Sequence, residues 1–315
     1  MAERRETVKE FCISRNYSID QICDYAGLSR SCYYYQRFCS STCSPGRPVP
    51  GYTVNRDGAI ILDQTLVQVL KEYRESVFFL NAGGSKKLSK YIAIEKHIYV
   101  NHKKIYRLCD ENNFLLFKQD HSQNRKRRKT RCEYMEVSRP NELWQFDLKY
   151  IWIHGEQRWC FLLAFIDVFS KKVVGYYIGK SCKSGDLIFT LNQAIQSEKL
   201  THDNKLVIRS DNGPQMSSNR FHFYLKKLEQ KLSHEFIPPR SPDRNAYIEA
   251  FNSIIEIELL QVRYFKTFKD AYEAVSEFIY FYNHRRLHGS IGNQSPNMFL
   301  EAWHAGNIAP YSISA

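Results

Sequence analysis

Two aspartates stand where aspartate is seldom found. Asp147 lies inside Trp144-Gln145-Phe146-Asp147, an aromatic strand-like run, and Asp211 sits in Ser210-Asp211-Asn212-Gly213, just past the end of a second apolar run. Aspartate is poorly suited to a strand interior and costly to bury without a cation. Taken singly, Asp147 fits a half-exposed sheet and Asp211 an ordinary Asp-Asn-Gly turn; a metal site accounts for both at once. A third acid must come from the helical pattern after residue 244, where Glu249, Glu256 and Glu258 compete. Glu249 comes early, after Asn245-Ala246-Tyr247-Ile248, and can face the strand ends while Phe251, Ile254 and Ile255 pack inward. Glu249, Asn252 and Glu256 share one helix face. Alone, Glu249 reads as part of a solvated stripe; beside Asp147 and Asp211 it completes a set of hard oxygen ligands suited to Mg2+ or Mn2+ rather than Zn2+. Asp167, in Ile166-Asp167-Val168-Phe169-Ser170, reads as a structural acid in a strand-end turn. His97, His102, Cys109 and Cys132 include no Cys-x-x-Cys pair and fit no compact zinc finger.

Acids this far apart in sequence meet only if a sheet and a helix bring them together. Three runs rich in aromatic and β-branched residues, Leu143 to Ile153, Trp159 to Phe169 and Lys172 to Ile178, predict a meander with short turns such as His154-Gly155-Glu156-Gln157. A helix from Ser184 to Ser197 follows, then a strand from Lys205 to Arg209, a helix from Asn219 to Gln230, a strand from Ser233 to Ile237 and a helix from Asn245 to Leu260. The order βββαβαβα is that of an α/β ribonuclease-H-like core, a five-stranded mixed sheet flanked by helices. We assign it residues 141–300, with 301–315 as a tail. A capping box at Thr267 and Asp270 opens a last packing helix through Tyr282. Arg285, Arg286 and His288 at its end suit the helix dipole as readily as they suit DNA.

Upstream, the pattern is helical and basic. Apolar positions from Val8 to Phe38, interrupted by Ala26-Gly27-Leu28-Ser29, predict a helix-turn-helix within residues 1–50, with Arg30 near the front of its recognition helix. A second small all-α DNA-binding unit is expected over 60–118, with Ile105, Leu108 and Leu115-Leu116 as its buried stripe. There Lys86 and Lys87 follow Gly83-Gly84-Ser85, and Lys103 and Lys104 follow an N-cap at Asn101. Cations at helix starts oppose the macrodipole, and phosphate contact would explain them. Arg125, Lys126, Arg127, Arg128, Lys129 and Arg131 mark 119–140 as a basic linker that adds affinity without sequence specificity.

The whole composition agrees with this division. The chain has 315 residues, 43% of them apolar, enough for a real core, which excludes disorder and mini-protein scaffolds. Its formal charge of +12 is unevenly spread: residues 1–140 hold 25 Lys and Arg against 15 Asp and Glu, a surplus of +10, and the rest carries +2. A polyanionic partner, nucleic acid first, is expected of the N-terminal part. Nine cysteines without paired short spacings suggest free thiols in a reducing cytosol. No apolar run approaches the roughly 20 residues of a membrane helix, and no secretory signal opens the chain.

Four ordered motifs then carry a family resemblance: Trp144-Gln145-Phe146-Asp147, Ser210-Asp211-Asn212-Gly213-Pro214-Gln215, Ser241 to Glu249, and Tyr282-Asn283-His284-Arg285-Arg286-Leu287-His288. The chain resembles the DDE transposases of bacterial insertion sequences, the insertion-sequence-three family within the retroviral integrase superfamily. That resemblance implies metal-dependent cleavage of transposon ends and 3′-hydroxyl strand transfer, with a circular intermediate before insertion. Asp147, Asp211 and Glu249 would be the catalytic carboxylates around two Mg2+ or Mn2+ ions roughly 3.5–4 Å apart, Asp147 bridging both. It implies transposon ends and target DNA as partners, a homodimer or larger assembly on DNA, an upstream-frame partner protein, and a cytoplasmic, nucleoid-associated bacterial setting. Two departures stand out. The 37 residues between Asp211 and Glu249 exceed the family's usual spacing, which the Pro238-Pro239 loop can absorb. Where the family commonly has Lys or Arg, seven residues after the glutamate, this chain has Glu256, so phosphate contact is expected from Arg240 or Arg244, or a weaker contact is tolerated. The competing readings are a non-catalytic DNA-binding regulator or inactivated transposase, and a nuclease of the same fold without joining activity.

Overall fold

The computed structural model describes residues 18, 22, 23, 26, 50–76, 84–115, 135–200, 205–228, 232–237 and 242–315. The chain divides into two units, Met1–Gly51 and Tyr52–Ala315. In the first, the Ile22 N–H donates to Ser18 O at 3.2 Å and the Ala26 N–H to Ile22 O at 2.9 Å, the spacing of a helical turn. The rest of the expected helix-turn-helix, Arg30 included, lies outside the described residues.

The second unit opens with a hairpin, β1 (Tyr52–Val54) and β2 (Ile60–Leu62), which sequence periodicity did not announce. Three helices follow: α1 (Asp63–Glu75), α2 (Ser85–Lys96) and α3 (His102–Glu111). Asn101 caps α3 as expected, its side chain accepting from Lys103 N at 2.9 Å. Ile105 and Leu108 are buried, whereas Leu115, expected beside them, is 37% exposed because α3 has already ended.

A five-stranded mixed sheet carries the remainder. Its strands are β4 (Leu143–Ile153), β5 (Arg158–Asp167), β6 (Val173–Gly179), β7 (Leu206–Ser210) and β8 (Leu232–Phe236), laid side by side as β6-β5-β4-β7-β8. β4, β5 and β6 are antiparallel, while β7 runs parallel to β4 and β8 parallel to β7. This is the ribonuclease-H-like arrangement that the element order predicts. The β4–β5 turn needs glycine at position 155, since a Cβ there would stand 2.0 Å from the Lys266 carbonyl oxygen. Helices α4 (Ser184–Ser197) and α5 (Asn219–Lys227) cover one face over Trp144, Phe146, Phe165 and Phe221. On the other face lie α6 (Ala246–Ile255) and α7 (Phe268–His284), packed over Ile151, Ile153, Phe251, Ile255 and Phe278. Period-2 alternation along β4 feeds both cores, and each fully buried Phe or Ile contributes about 1.5–3 kcal/mol.

Three details depart from the expected elements. The helix expected over Asn245–Leu260 begins as a 3-10 turn, Pro242–Asn245, continues as α6 and ends in a π-helical turn, Glu256–Leu260. The expected tail contains the end of α8 (Pro296–His304) and β9 (Ile313–Ser314), and β9 pairs with β3 (Glu136–Val137) inside the stretch expected as linker. Finally, the helical segment shares one continuous apolar core with α6 and α7. Polar contacts add to it: Tyr91 Oη accepts from Leu287 N at 2.8 Å, and Arg285 pairs with Glu95 at 2.8 Å.

Candidate active site

β4 and β7 are hydrogen-bonded parallel neighbours with Trp144 opposite Ile208 and Gln145 opposite Arg209. Carried two residues further, that register sets Asp147 beside Asp211. Asp211 is exposed just beyond β7, where its Oδ1 accepts from Gly213 N at 3.1 Å, the Asx turn that Asp-Asn-Gly favours. Asp147 is half-buried: Oδ1 accepts from Leu148 N at 2.8 Å and Oδ2 from Asn252 Nδ2 at 2.9 Å. Burial pushes the Asp147 carboxyl above the ordinary carboxylate range, and the negative charge of Asp211 pushes it further. The bonds from Leu148 and Asn252 and the charge of Lys149 pull the other way.

Lys149 shares a strand face with Asp147 but is held by another acid, pairing with Glu256 at 2.8 Å. Gln145, two residues the other way, is fully buried; its Oε1 accepts from Tyr247 N at 3.0 Å and Ile248 N at 3.2 Å. Residues 145, 147 and 149 of β4 thus meet 248, 252 and 256 of α6 and its extension in three successive rungs. The match is metrical: two strand residues advance about 6.6 Å and four helical residues about 6 Å.

Glu249 lies in the first turn of α6, exposed, one turn before Asn252. Asp147 and Asp211 are therefore brought together, and Glu249 is carried on the helix that touches Asp147. Among the described residues, no three His, Cys, Asp or Glu side chains are already drawn up around a single ion position. The pair nevertheless fits a hard divalent cation: two carboxylates converge, one of them half-buried and, among the described residues, without an ion-pair partner. Asp167 is structural, wholly buried, accepting from Ser170 N and Oγ and from Asn141 N.

The basic residues divide. Lys86 and Lys103 are exposed at the starts of α2 and α3. Lys104 instead pairs with Asp63 at 2.5 Å and donates to Tyr52 O at 2.6 Å. Lys87 is half-buried near the Glu258–Arg286 ion pair, where burial and the Arg286 charge lower its pKa. For Lys104, a carboxylate distant in sequence answers the charge at the helix start, and phosphate is not needed to explain it; for Lys87, Glu258 offers only an attraction that burial and Arg286 outweigh. Arg285 and Arg286 likewise hold Glu95 and Glu258. Arg244 is half-buried at the head of α6. Arg125, Lys126, Arg127, Arg128, Lys129, Arg131 and Arg240 lie outside the described residues. Gln145 carried no mark in the sequence, because nothing local to a strand glutamine shows which helix end will reach it.

The Integrase core domain family matches residues 137–242, and a second Integrase core domain family matches residues 230–296. An insertion element IS476 protein of 39.2 kDa from Xanthomonas euvesicatoria is 26% identical over 98% of this chain and 81% of its own length. The transposase for insertion sequence element IS904 of Lactococcus lactis is 26% identical over 53% of this chain and 64% of its own. Among solved structures, the HTLV-2 integrase catalytic core domain in complex with magnesium aligns with a TM-score of 0.40 at 19% identity, over 51% of this chain and 96% of that one. No helix of the described residues is long and apolar enough to cross a membrane. The two family matches run together from β3 to α8, across both aspartates and the helix above them, and place the chain among the insertion-sequence transposases of the retroviral integrase superfamily.

Proposed function

We propose that the chain cleaves transposon ends and joins their 3′-hydroxyls to target DNA, using Asp147, Asp211 and Glu249 as its catalytic carboxylates. The observation that carries this reading is the nearness of Asp147 on β4 to Asp211 just beyond the parallel strand β7, beneath the helix that bears Glu249. Mg2+ or Mn2+ bound there would neutralise charge developing on the scissile phosphodiester and favour deprotonation of the attacking hydroxyl. The chain's own part is orientation: the Leu148 amide and Asn252 fix the Asp147 carboxylate, and the Gly213 amide fixes Asp211. DNA is the partner, held by the exposed Lys86 and Lys103 together with Arg30, Arg240, Arg244 and the basic run from Arg125 to Arg131. Work on two transposon ends calls for a homodimer or larger assembly on DNA, and an upstream-frame partner protein can join it.

Purified protein, a labelled transposon-end duplex and Mg2+ or Mn2+ test the reading. Glu249→Gln is expected to keep duplex binding and lose both nicking and joining; undiminished cleavage rejects the triad. Nicked product that is never joined would make the chain a nuclease of the same fold. Binding without any metal-dependent cleavage would make it a regulator.

A further inference from the structure

The head of α6 is not capped by its own residues. Asn245, at the N-cap position, makes no side-chain capping bond, and its buried Oδ1 has no hydrogen-bond partner among the described residues. The first-turn amides instead point into the sheet, where Gln145 Oε1 accepts from Tyr247 N and Ile248 N. An N-cap side chain normally satisfies such amides from within the helix's own chain segment. Here the acceptor comes from 102 and 103 residues away. The other end of the same amide donates to Arg244 O at 2.8 Å, and Arg209 Nη1 donates to that same oxygen at 3.2 Å. Gln145 and Arg209 face each other across the β4–β7 ladder, each two residues before its strand's aspartate. Both side chains are buried, and Arg209 is steadied by Glu235 at 3.0 Å.

We infer that Gln145, seconded by Arg209, is the positioning residue that fixes Glu249 relative to Asp147 and Asp211. The strands that carry the two aspartates fasten one carbonyl oxygen and two amides at the head of the helix that carries the glutamate. Glu249 lies one residue beyond the second fastened amide, so the clamp sets the axial position and rotation of the helix turn it occupies. Neither Gln145 nor Arg209 touches the reacting atoms in this scheme. The inference rests on the triad proposed above, and its test separates the two.

The full chain is compared with Gln145→Met, which keeps the volume and removes both halves of the amide, and with Gln145→Glu, which keeps an acceptor for Tyr247 and Ile248. In the metal-free protein, hydrogen exchange over residues 246–250 is expected to speed up about fivefold or more in Gln145→Met. Exchange in β4 and β7 should stay unchanged, and Gln145→Glu should recover most of the protection. Mn2+ affinity by calorimetry should fall about 10- to 100-fold in Gln145→Met, with end-duplex binding unchanged. If Gln145→Met does not fold, Arg209→Met is measured in its place, since it leaves only a partly exposed Glu235 behind. Wild-type exchange and Mn2+ affinity in the substituted protein overturn the clamp, as does exchange accelerated throughout the sheet. Glu249→Gln is run alongside. Loss of Mn2+ affinity there but not in Gln145→Met leaves the triad standing and the clamp refuted. Wild-type Mn2+ binding and cleavage by Glu249→Gln refutes the triad and, with it, the clamp as a catalytic device.

Discussion

Asp147 works against the stability of the chain that carries it. Its carboxyl binds a proton more tightly in the folded protein than in the unfolded chain, because burial and Asp211 both disfavour its charge. Stability therefore falls as pH rises from the ordinary carboxylate value of 3.8 through the raised native one. Asp147→Asn is accordingly expected to abolish cleavage while raising the Tm of the metal-free protein at pH 7, by about 2–4 °C for each kcal/mol relieved. The gain should shrink towards zero in melts taken below pH 4, and equal Tm values at pH 7 would show that the charge is not strained. Asp147 and Asp211 were legible in the sequence because strand interiors and strand ends rarely hold an acid without a use for it. Lys87 and Lys104 were legible as anomalies, but the Asp63 that pairs with Lys104 and the Arg286–Glu258 pair near Lys87 are neighbours that only the folded chain supplies. Gln145 showed no anomaly at all.

The π-helical turn after α6 sends neighbouring glutamates in different directions. Glu256 reaches back to Lys149 on β4, and Glu258 reaches Arg286 through two bonds, at 2.6 and 2.8 Å, with both side chains buried. Removing one partner of a buried pair leaves an uncompensated charge, which costs about 3–5 kcal/mol, whereas replacing both with apolar groups is often neutral. Arg286→Met should lose stability of that order in urea unfolding, and Glu258→Leu in the same chain should restore most of it. Additive losses would mean that the two side chains are stabilised by other neighbours. Strand and helix placement on this unit was readable because alternation is strong over β4, β5 is an unbroken apolar run rich in aromatic residues, and helical spacing is strong over α4 and α7. The π turn and the β3–β9 pairing were not: the first depends on side-chain partners from other elements, and the second on two-residue strands 176 positions apart at Val137 and Ile313.

Across the whole second unit, the helical segment and the catalytic sheet meet around a buried polar cluster. His288 is 6% exposed in it, with Nδ1 3.2 Å from Arg286 Nη1. Burial, then the charges of Arg286, Lys87 and Lys171, push its pKa down to about 2, while the backbone near Tyr282 raises it slightly. Neutral His288 is thus favoured in the folded state, and its contribution is present above pH 6.5 and lost as pH falls below that value. The slope is at most about 1.4 kcal/mol per pH unit. His288→Gln, which keeps an acceptor for Arg286, should flatten the decline in Tm between pH 6.5 and 4; an unchanged slope would assign that decline to other groups. The rungs between β4 and α6 also bear on how such a chain can diverge. Because a strand residue, not the intervening backbone, fixes where the helix starts, the 37 residues between Asp211 and Glu249 do not measure the distance between them. Insertions and deletions can accumulate along that path without moving the glutamate. One residue gained or lost between Gln145 and Lys149 would shift one or two of the rungs to the opposite face of the sheet.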